Sequence, residues 1–506
     1  MLFKISSGSL LGIEAYPVEV EVDISAGLPT FVTVGLPDPA VRESKERVRA
    51  ALKNCGWDIE SRKITINLAP ADRKKEGSAF DLPIALGFLA YLDVIPGERL
   101  RDFLFVGELA LDGRLKPARG VLPIALMARK TGFQGIVVPK TNAREAGLVR
   151  ELPVFGLENL VQVVRFLSAP GEISPCRFNL DDLVSPAADT IDFEEVKGQY
   201  HVKRALEVAA AGAHNVLLIG PPGAGKTMLA RRLPTILPEM TFEEMVEVTQ
   251  VYSAAGLLQE TGAVSRRPFR APHHTITDPA LIGGGLVPRP GEVSLAHRGV
   301  LFLDELPEFR KRVLEDLRQP VEDGWVTVSR SAMSAVFPSS FMLVAAMNPC
   351  EDVFRGLALA KGGCTESEKA RYYSKISGPL LDRIDIQVEV PEVKFRDIVS
   401  REPAESSATI RARVTAARQR QLARFKGRKV YANAQMGPRD IKRHCAVAAE
   451  GERLLETAVT RLGFSARAYD RILKVARTIA DLEGKEGIAT AHVSEAVQYR
   501  MMDKFR

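Results

Sequence analysis

Several things are scarce in this chain, and each scarcity excludes something. Five cysteines in 506 residues are too few for a disulfide framework. No apolar run reaches the roughly 20 residues that span a bilayer; the run Leu82 to Leu92 comes nearest and stops at Asp93. The opening Met1-Leu2-Phe3-Lys4-Ile5-Ser6 lacks the charged-then-apolar layout of a secretory leader, so a cytoplasmic location without a membrane partner is expected. A strong charge excess is also missing, since Lys plus Arg exceed Asp plus Glu by only 69 to 63. That balance permits a nucleic-acid partner without arguing for one. Basic residues do gather from Phe395 to Val447, thirteen Lys/Arg against four Asp/Glu, which on charge alone reads as a solvated helix face. Repeats and low-complexity tracts are absent.

The length exceeds what one core holds, and the pattern divides into blocks. Residues 1–168 alternate strand-like runs (Val18 to Val22, Phe31 to Val34, Ile64 to Leu68, Phe103 to Val106, Gly135 to Val138) with helical patterns at Val41 to Asn54, Ser78 to Leu92 and Leu122 to Thr131, which predicts an α/β or α+β domain. Residues 169–191, with Pro170, Gly171, Pro175 and Pro186, read as a linker. A nucleotide-binding domain is expected over 192–403. The remaining 404–506 is helical in pattern, at Ser407 to Phe425, Pro438 to Leu462, Ser465 to Leu482 and Thr490 to Met501.

The chemistry is carried by Gly220-Pro221-Pro222-Gly223-Ala224-Gly225-Lys226-Thr227, set between the apolar run Asn215 to Ile219 and the helix-like Met228 to Leu233. This is a P-loop in a strand-loop-helix setting. Its glycines let backbone N–H groups approach phosphates, Lys226 reaches the β and γ oxygens, and the Thr227 hydroxyl is placed to ligate Mg²⁺. ATP with Mg²⁺ is the expected cofactor. About eighty residues on, Val300-Leu301-Phe302-Leu303 ends in Asp304-Glu305, the form of a Walker B strand. Asp304 would hold Mg²⁺ through water, and Glu305 would polarise the attacking water. A third run, Phe341 to Met347, ends in Asn348, where a polar side chain can position water as sensor 1 does in AAA+ ATPases. Ser377-Gly378-Pro379-Leu380-Leu381-Asp382-Arg383 resembles the arginine-finger segment of the magnesium-chelatase and minichromosome-maintenance branch. Arg467, in Ser465-Ala466-Arg467, falls where that branch carries its sensor 2 arginine. With both arginines assigned, each site needs two subunits, hence a ring.

Further segments make the resemblance specific: Asp192-Phe193-Glu194-Glu195-Val196-Lys197-Gly198-Gln199, Arg270-Ala271-Pro272-His273-His274-Thr275, Gly283-Gly284-Gly285, Pro290-Gly291-Glu292-Val293 and Ala296-His297-Arg298-Gly299 leading into the Walker B strand. Together they resemble the magnesium-chelatase-like ComM/YifB family, over essentially the whole chain. The resemblance implies an α/β protein with an N-terminal Lon-protease-like (ribosomal-S5-like) α+β domain, an AAA+ core and a C-terminal helical lid. It further implies a homohexameric motor on single-stranded or branched DNA, sequence-independent, promoting branch migration during natural transformation. A protein-remodelling ATPase akin to the chelatase motor subunit stays open as the alternative.

A Lon-like domain raises the question of proteolysis. The run Gly107 to Gly120 aligns with the Lon pattern leading to the catalytic lysine, yet that position is Leu122, and Ala79 stands at the serine position beside Ser78. A serine without a base is not an activated nucleophile, so a scaffold without protease activity is expected. For DNA, the segment Gly324 to Val336 alternates as a hairpin does and resembles the pre-sensor-1 hairpin of minichromosome-maintenance helicases, whose basic tip residue matches Arg330. A merely soluble hairpin tip remains the competing reading. Arg266, Arg267 and Arg270 form a second candidate cluster. Adjacent His273 and His274 are expected to point to opposite sides and not to share a metal. Cys350 and Cys364, near Asp352 and Glu366, are expected to be loop cysteines without zinc, because two thiolates make a poor structural site.

Overall fold

The computed structural model describes residues 1–59, 62–169, 171–178, 191–258, 261–285, 287–330, 333–350, 364–376, 378–393, 395–398, 404–428, 430–462 and 464–500. The N-terminal block is built on a seven-stranded mixed sheet. Its strands run in the spatial order Thr30–Val34, Lys63–Ala69, Glu14–Ser25, Leu2–Leu11, Phe103–Phe105, Gly135–Pro139 and Val154–Leu157. The alternation in Glu14–Ser25 shows why this sequence makes a half-buried strand: Tyr16, Val18, Val20, Val22 and Ile24 are buried while Pro17 and Glu19 face water. Helices Pro39–Asn54 and Asp81–Tyr91 cover the buried face. The approach is close, since a Cβ on Gly87 would lie 2.5 Å from Val22 Cγ2. The strand Leu2–Leu11 was not expected; its inward positions include Ser7 and Ser9 rather than an apolar series, so the period-2 signal is muted.

The middle block is a parallel five-stranded sheet, in the order Phe269–Arg270, Val300–Leu303, Met342–Met347, Val216–Ile219, Ile386–Glu389. Each of the three central strands is buried throughout, as a parallel sheet covered on both faces requires. The order interleaves the third strand of the chain between the first two motif-bearing ones, and that places three strand ends side by side.

The C-terminal helices Ser407–Arg424, Ala449–Leu462, Ala466–Leu482 and Thr490–Gln498 do not form a separate core. Ile410, Val414, Ile472, Ile479 and Val493 share one apolar cluster with Val202, Leu206, Val216 and Leu229 of the middle block. The single helix expected over Pro438 to Leu462 is corrected to two, Pro438–His444 and Ala449–Leu462; between them Val447 bridges to Ile488. The basic run is corrected as well. Several of its arginines are not merely solvated: Arg413 binds Glu207 and Glu405, Arg418 donates to the carbonyl oxygens of Ala210 and Ala211, and Arg424 binds Asp481, while Arg439 and Arg443 are exposed. Arg413 and Arg418 fasten the C-terminal helices to the middle block, and Arg424 ties two C-terminal helices together.

The N-terminal block docks on the helix Phe242–Ala255, which a Thr241–Glu244 capping box starts. Arg119 Nε donates to the Ala254 carbonyl at 2.6 Å, Gly120 N to that of Ser253 at 3.1 Å, and Gln250 Nε2 to that of Ile13 at 2.7 Å. Part of the expected linker packs here too, with Cys176 N bonded to the Val154 carbonyl and Phe178 against Gly147; residues 179–190 lie outside the described residues. Among the described residues no helix is long and apolar enough to cross a membrane, and the five cysteines are free thiols.

Candidate nucleotide site

The loop after Val216–Ile219 turns into the helix Lys226–Ile236 through Gly223 at φ +80° and Gly225 at φ +87°. Only glycine adopts such backbone freely. A Cβ on Gly223 would meet no other atom within 4 Å, so the glycine there answers to its backbone angle and not to crowding. The Lys226 side chain, 8% exposed as a residue, crosses this loop: Nζ donates to the carbonyls of Gly220 (2.6 Å) and Pro221 (2.8 Å) and to Asn348 Oδ1 (2.9 Å). Asn348 is itself held by Tyr372, whose hydroxyl donates to its carbonyl at 2.9 Å.

The neighbouring strand end brings the carboxylates. Thr227 Oγ1 donates to Asp304 Oδ2 at 2.7 Å, and Glu305 N donates to Asp304 Oδ1 at 3.0 Å. Glu305 sits in left-handed backbone at φ +52°, which lifts its side chain off the strand, 57% exposed, with Oε2 at 3.4 Å from His274 Nδ1. A hydroxyl and one carboxylate at 2.7 Å fit a Mg²⁺ ion that retains several waters, since such ions are bound through few protein ligands plus phosphates. The glycine cradle and the lysine fit a triphosphate.

Arg383 and Arg467 lie elsewhere. The strand Ile386–Glu389 runs parallel to Val216–Ile219 with Val216 opposite Ile386 and Ile219 opposite Glu389. Arg383 therefore precedes the amino edge of the sheet while the loop at Gly220 follows the carboxyl edge. Three residue steps of ~3.3 Å put about 10 Å of sheet between them. Arg383 binds Glu322 and the Pro379 carbonyl, and Arg467, 71% exposed, lies 3.8 Å from Asp382. Both arginines thus occupy the face away from the chain's own P-loop.

Of the arginines expected to touch DNA, Arg266 is exposed. Arg267 is committed internally, to the carbonyls of Pro238 and Arg298 and to Glu244, and Arg270 forms a two-pronged pair with Glu292 at 2.6 and 2.7 Å. The expected three-residue basic surface is corrected accordingly, because two members have their donors occupied. Arg330 closes the strand Trp325–Arg330 opposite Met333, in the hairpin anticipated from the alternation; its side chain and residues 331–332 lie outside the described residues. The rings of His273 and His274 are 4.1 Å apart, which corrects the expectation of opposite sides: the turn after His273 folds them together. No group of three metal-ligating side chains occurs among the described residues. Cys350 is buried and Cys364 half-buried, while Asp352 and the Glu366 side chain are outside them. In the N-terminal block Leu122 is buried, and the Ser78 hydroxyl donates to Glu108.

Sequence reasoning missed three pairings. His274 at Glu305 joins positions thirty-one apart, with no spacing signal. Gln199 stands out in sequence only as part of a longer motif, yet its Nε2 donates to the P-loop carbonyl of Ala224 at 2.8 Å and to Pro391 at 3.1 Å. Glu322, the partner of Arg383, falls in an ordinary charged helix.

The family described as "Magnesium chelatase, subunit ChlI" matches residues 192–398, "Subunit ChlI of Mg-chelatase" matches 20–142, and "Magnesium chelatase, subunit ChlI C-terminal" matches 404–500. The chain is 43% identical to competence protein ComM of Haemophilus influenzae, covering 98% of this chain and 97% of that one. It is 44% identical to the YifB protein of Salmonella typhimurium, over 98% and 96%. Against the chloroplastic magnesium-chelatase subunit ChlI of Chlamydomonas reinhardtii it is 26% identical over 45% of this chain and 61% of that one.

Proposed function

The chain belongs to the magnesium-chelatase-like ComM/YifB family, and from that membership we propose that it is an ATP-driven DNA motor. It works as a cytoplasmic homohexameric AAA+ ATPase and helicase that promotes branch migration of recombination intermediates in natural transformation. The observation that carries the reading is the division of the nucleotide machinery between the two edges of one sheet. Lys226, Thr227, Asp304 and Asn348 converge at the carboxyl edge, while Arg383 and Arg467 sit beyond the amino edge. A site finished by arginines that cannot reach their own P-loop needs a neighbouring copy.

In this reading Lys226 trades its protein oxygen partners for phosphate oxygens. Thr227 and Asp304 hold Mg²⁺, which neutralises charge on the phosphates when bound. Glu305 accepts a proton from the attacking water, kept at its station by the left-handed turn and by His274. Asn348 orients that water, and Arg383 with Arg467, from the adjacent subunit, stabilise the charge that develops. The N-terminal domain acts as a scaffold. Its Lon-like lysine position is the buried Leu122, which supports the absence of proteolysis.

A second reading is favoured by one observation: the family matches over 192–398 and 404–500 are to a chelatase subunit. It makes the chain a protein-remodelling ATPase that needs no DNA. ATP turnover by the purified protein with and without forked or single-stranded DNA decides between them. Stimulation by DNA supports the motor; turnover indifferent to DNA, with no DNA binding at moderate salt, supports remodelling.

A further inference from the structure

The N-terminal domain carries a cationic helix face beside an aromatic pocket, at the edge of its sheet and outside the nucleotide machinery. Arg42, Lys45, Arg49 and Lys53 recur at i, i+3, i+7 and i+11 along the helix Pro39–Asn54, one face of a 3.6-residue repeat. The stripe runs about 16 Å at 1.5 Å per residue. The acids Glu43 and Glu46 follow one position behind their neighbours, roughly 100° further round the helix. Glu46 touches Lys45 at 3.7 Å and Glu43 touches Arg47 at 3.9 Å; Arg42, Arg49 and Lys53 are in no ion pair among the described residues.

Lys45 and Arg49 also line a pocket with Phe31, Ile64 and Phe88, about 80 Å³ in volume, room for one small ring. Phe31 belongs to the edge strand Thr30–Val34. Its ring stands 6.1 Å from that of Phe88, and the Lys45 ammonium lies 5.7 Å from its centroid. A half-buried aromatic face that already meets a cation, beside unpaired guanidinium and ammonium groups, has the two parts by which single strands are held without sequence preference: stacking for a base and cations for the phosphates. Two neighbouring i, i+4 cations, Arg49 and Lys53, lie about 5–6 Å apart at their Cβ atoms, so both can serve successive phosphates.

We infer that this pocket and the Arg42–Lys45–Arg49–Lys53 face form a single-stranded DNA site on the N-terminal domain, separate from the Arg330 hairpin. The inference rests on the partner of the motor being DNA. It gives the Lon-like fold a task other than proteolysis: it holds one strand while the ring acts on the other. Phosphates lie along the helix stripe and one base enters against Phe31.

The test uses the full chain and a fluorescent oligothymidylate, with anisotropy measured across a salt series. In Arg49→Glu/Lys53→Glu the affinity falls at least about tenfold, and the slope of log affinity against log salt becomes shallower by about 1.4, two phosphates at ~0.7 each on a single strand. Basal ATP turnover stays at the wild-type rate, which reports an intact fold. An oligonucleotide with 5-bromodeoxyuridine crosslinks under ultraviolet light to the peptide containing Phe31, and Phe31→Leu reduces that crosslink. Wild-type binding with unchanged affinity and slope in the double variant overturns this site and leaves the motor reading standing. Thymidine monophosphate competing as well per nucleotide as the oligonucleotide overturns the strand as its ligand. Absence of oligonucleotide binding by the wild type overturns the motor reading itself.

Discussion

Lys226 Nζ donates to Asn348 Oδ1 at 2.9 Å, so the glycine-rich loop and the end of the strand Met342–Met347 are joined at the carboxyl edge of the sheet. The pairing follows from strand order. Because Met342–Met347 lies between Val216–Ile219 and Val300–Leu303, the residue that follows it sits between the strand ends that lead to the glycine loop and to Asp304-Glu305, and it meets the lysine. In the proposed site the sheet would stay as it is on nucleotide binding, while Lys226 would exchange its oxygen partners and the Thr227–Asp304 hydrogen bond would give way to Mg²⁺.

Lys226→Ala is expected to weaken nucleotide binding, and Glu305→Gln to preserve it while lowering turnover at least about a hundredfold, the contribution of a positioned general base. Fluorescent nucleotide binding and phosphate release, measured in parallel, separate the two effects. Glu305→Gln hydrolysing ATP at the normal steady-state rate would falsify its role as the base.

Arg383 is expected to act in trans. Mixing Arg383→Ala chains into wild-type assemblies should depress ATP turnover more steeply than the mutant fraction, because each defective copy disables its neighbour's site. The loss per defective site is about a thousandfold, as for an external guanidinium on a transferring phosphoryl group. A linear titration with full turnover by an isolated monomer contradicts the shared site.

The strands that bear the candidate nucleotide site were legible because each is a short, wholly apolar run with a diagnostic ending: Ile219 before the glycines, Leu303 before Asp304, Met347 before Asn348. Elements whose period is diluted by small or charged residues were not. Leu2–Leu11 buries serines, and Pro438 to Leu462 reads as one amphipathic helix until the bridge of Val447 to Ile488 interrupts it. Charge misled most. Arg267, Arg270, Arg413 and Arg424 look solvated in sequence, but their partners Glu244, Glu292, Glu207 and Asp481 come from other segments, and no local spacing encodes a pair of that kind. The same reasoning explains why sequence does not show His274 beside Glu305.

Stability should fall on mild acidification through His297. Its Nδ1 accepts the Ser340 N–H at 3.1 Å and Nε2 faces Glu247 at 3.4 Å, so the ring is neutral with its proton on Nε2. Burial lowers the His297 pKa below its ordinary value of 6.5. The folded state therefore binds fewer protons than the unfolded one in this range. The contribution is complete above pH ~6.5 and declines as pH falls toward the lowered folded value. His297→Asn removes the titrating ring, and giving up its buried hydrogen bonds costs about 1–3 kcal/mol at neutral pH. Thermal midpoints at pH 7 and pH 5 should then differ less in the variant than in the wild type; an equal or larger difference in the variant rules out His297 as the source.

Arg330 ends the strand Trp325–Arg330 opposite Met333, and the base of this hairpin is anchored: Val326, Val328, Ala335 and Phe337 are buried, and a Cβ on Gly12 of the N-terminal domain would lie 2.9 Å from that of Ala335. In the proposed ring, a tip on a fixed base, repeated in each subunit, would grip phosphates without reading bases. Arg330→Ala should weaken DNA binding about equally across sequences. It should flatten the slope of log affinity against log salt by about 0.7 for each single-strand phosphate no longer gripped, multiplied by the number of subunits that grip together. Unwinding of forked DNA and migration of a branch should fall far more than basal ATP turnover, because the hairpin stands outside the nucleotide site. Gel assays on forked and four-way junctions, alongside phosphate release without DNA, check this. Unchanged affinity, slope and strand separation would remove Arg330 from the translocation path and leave Arg266, the exposed member of the other arginine group, as the next residue to replace.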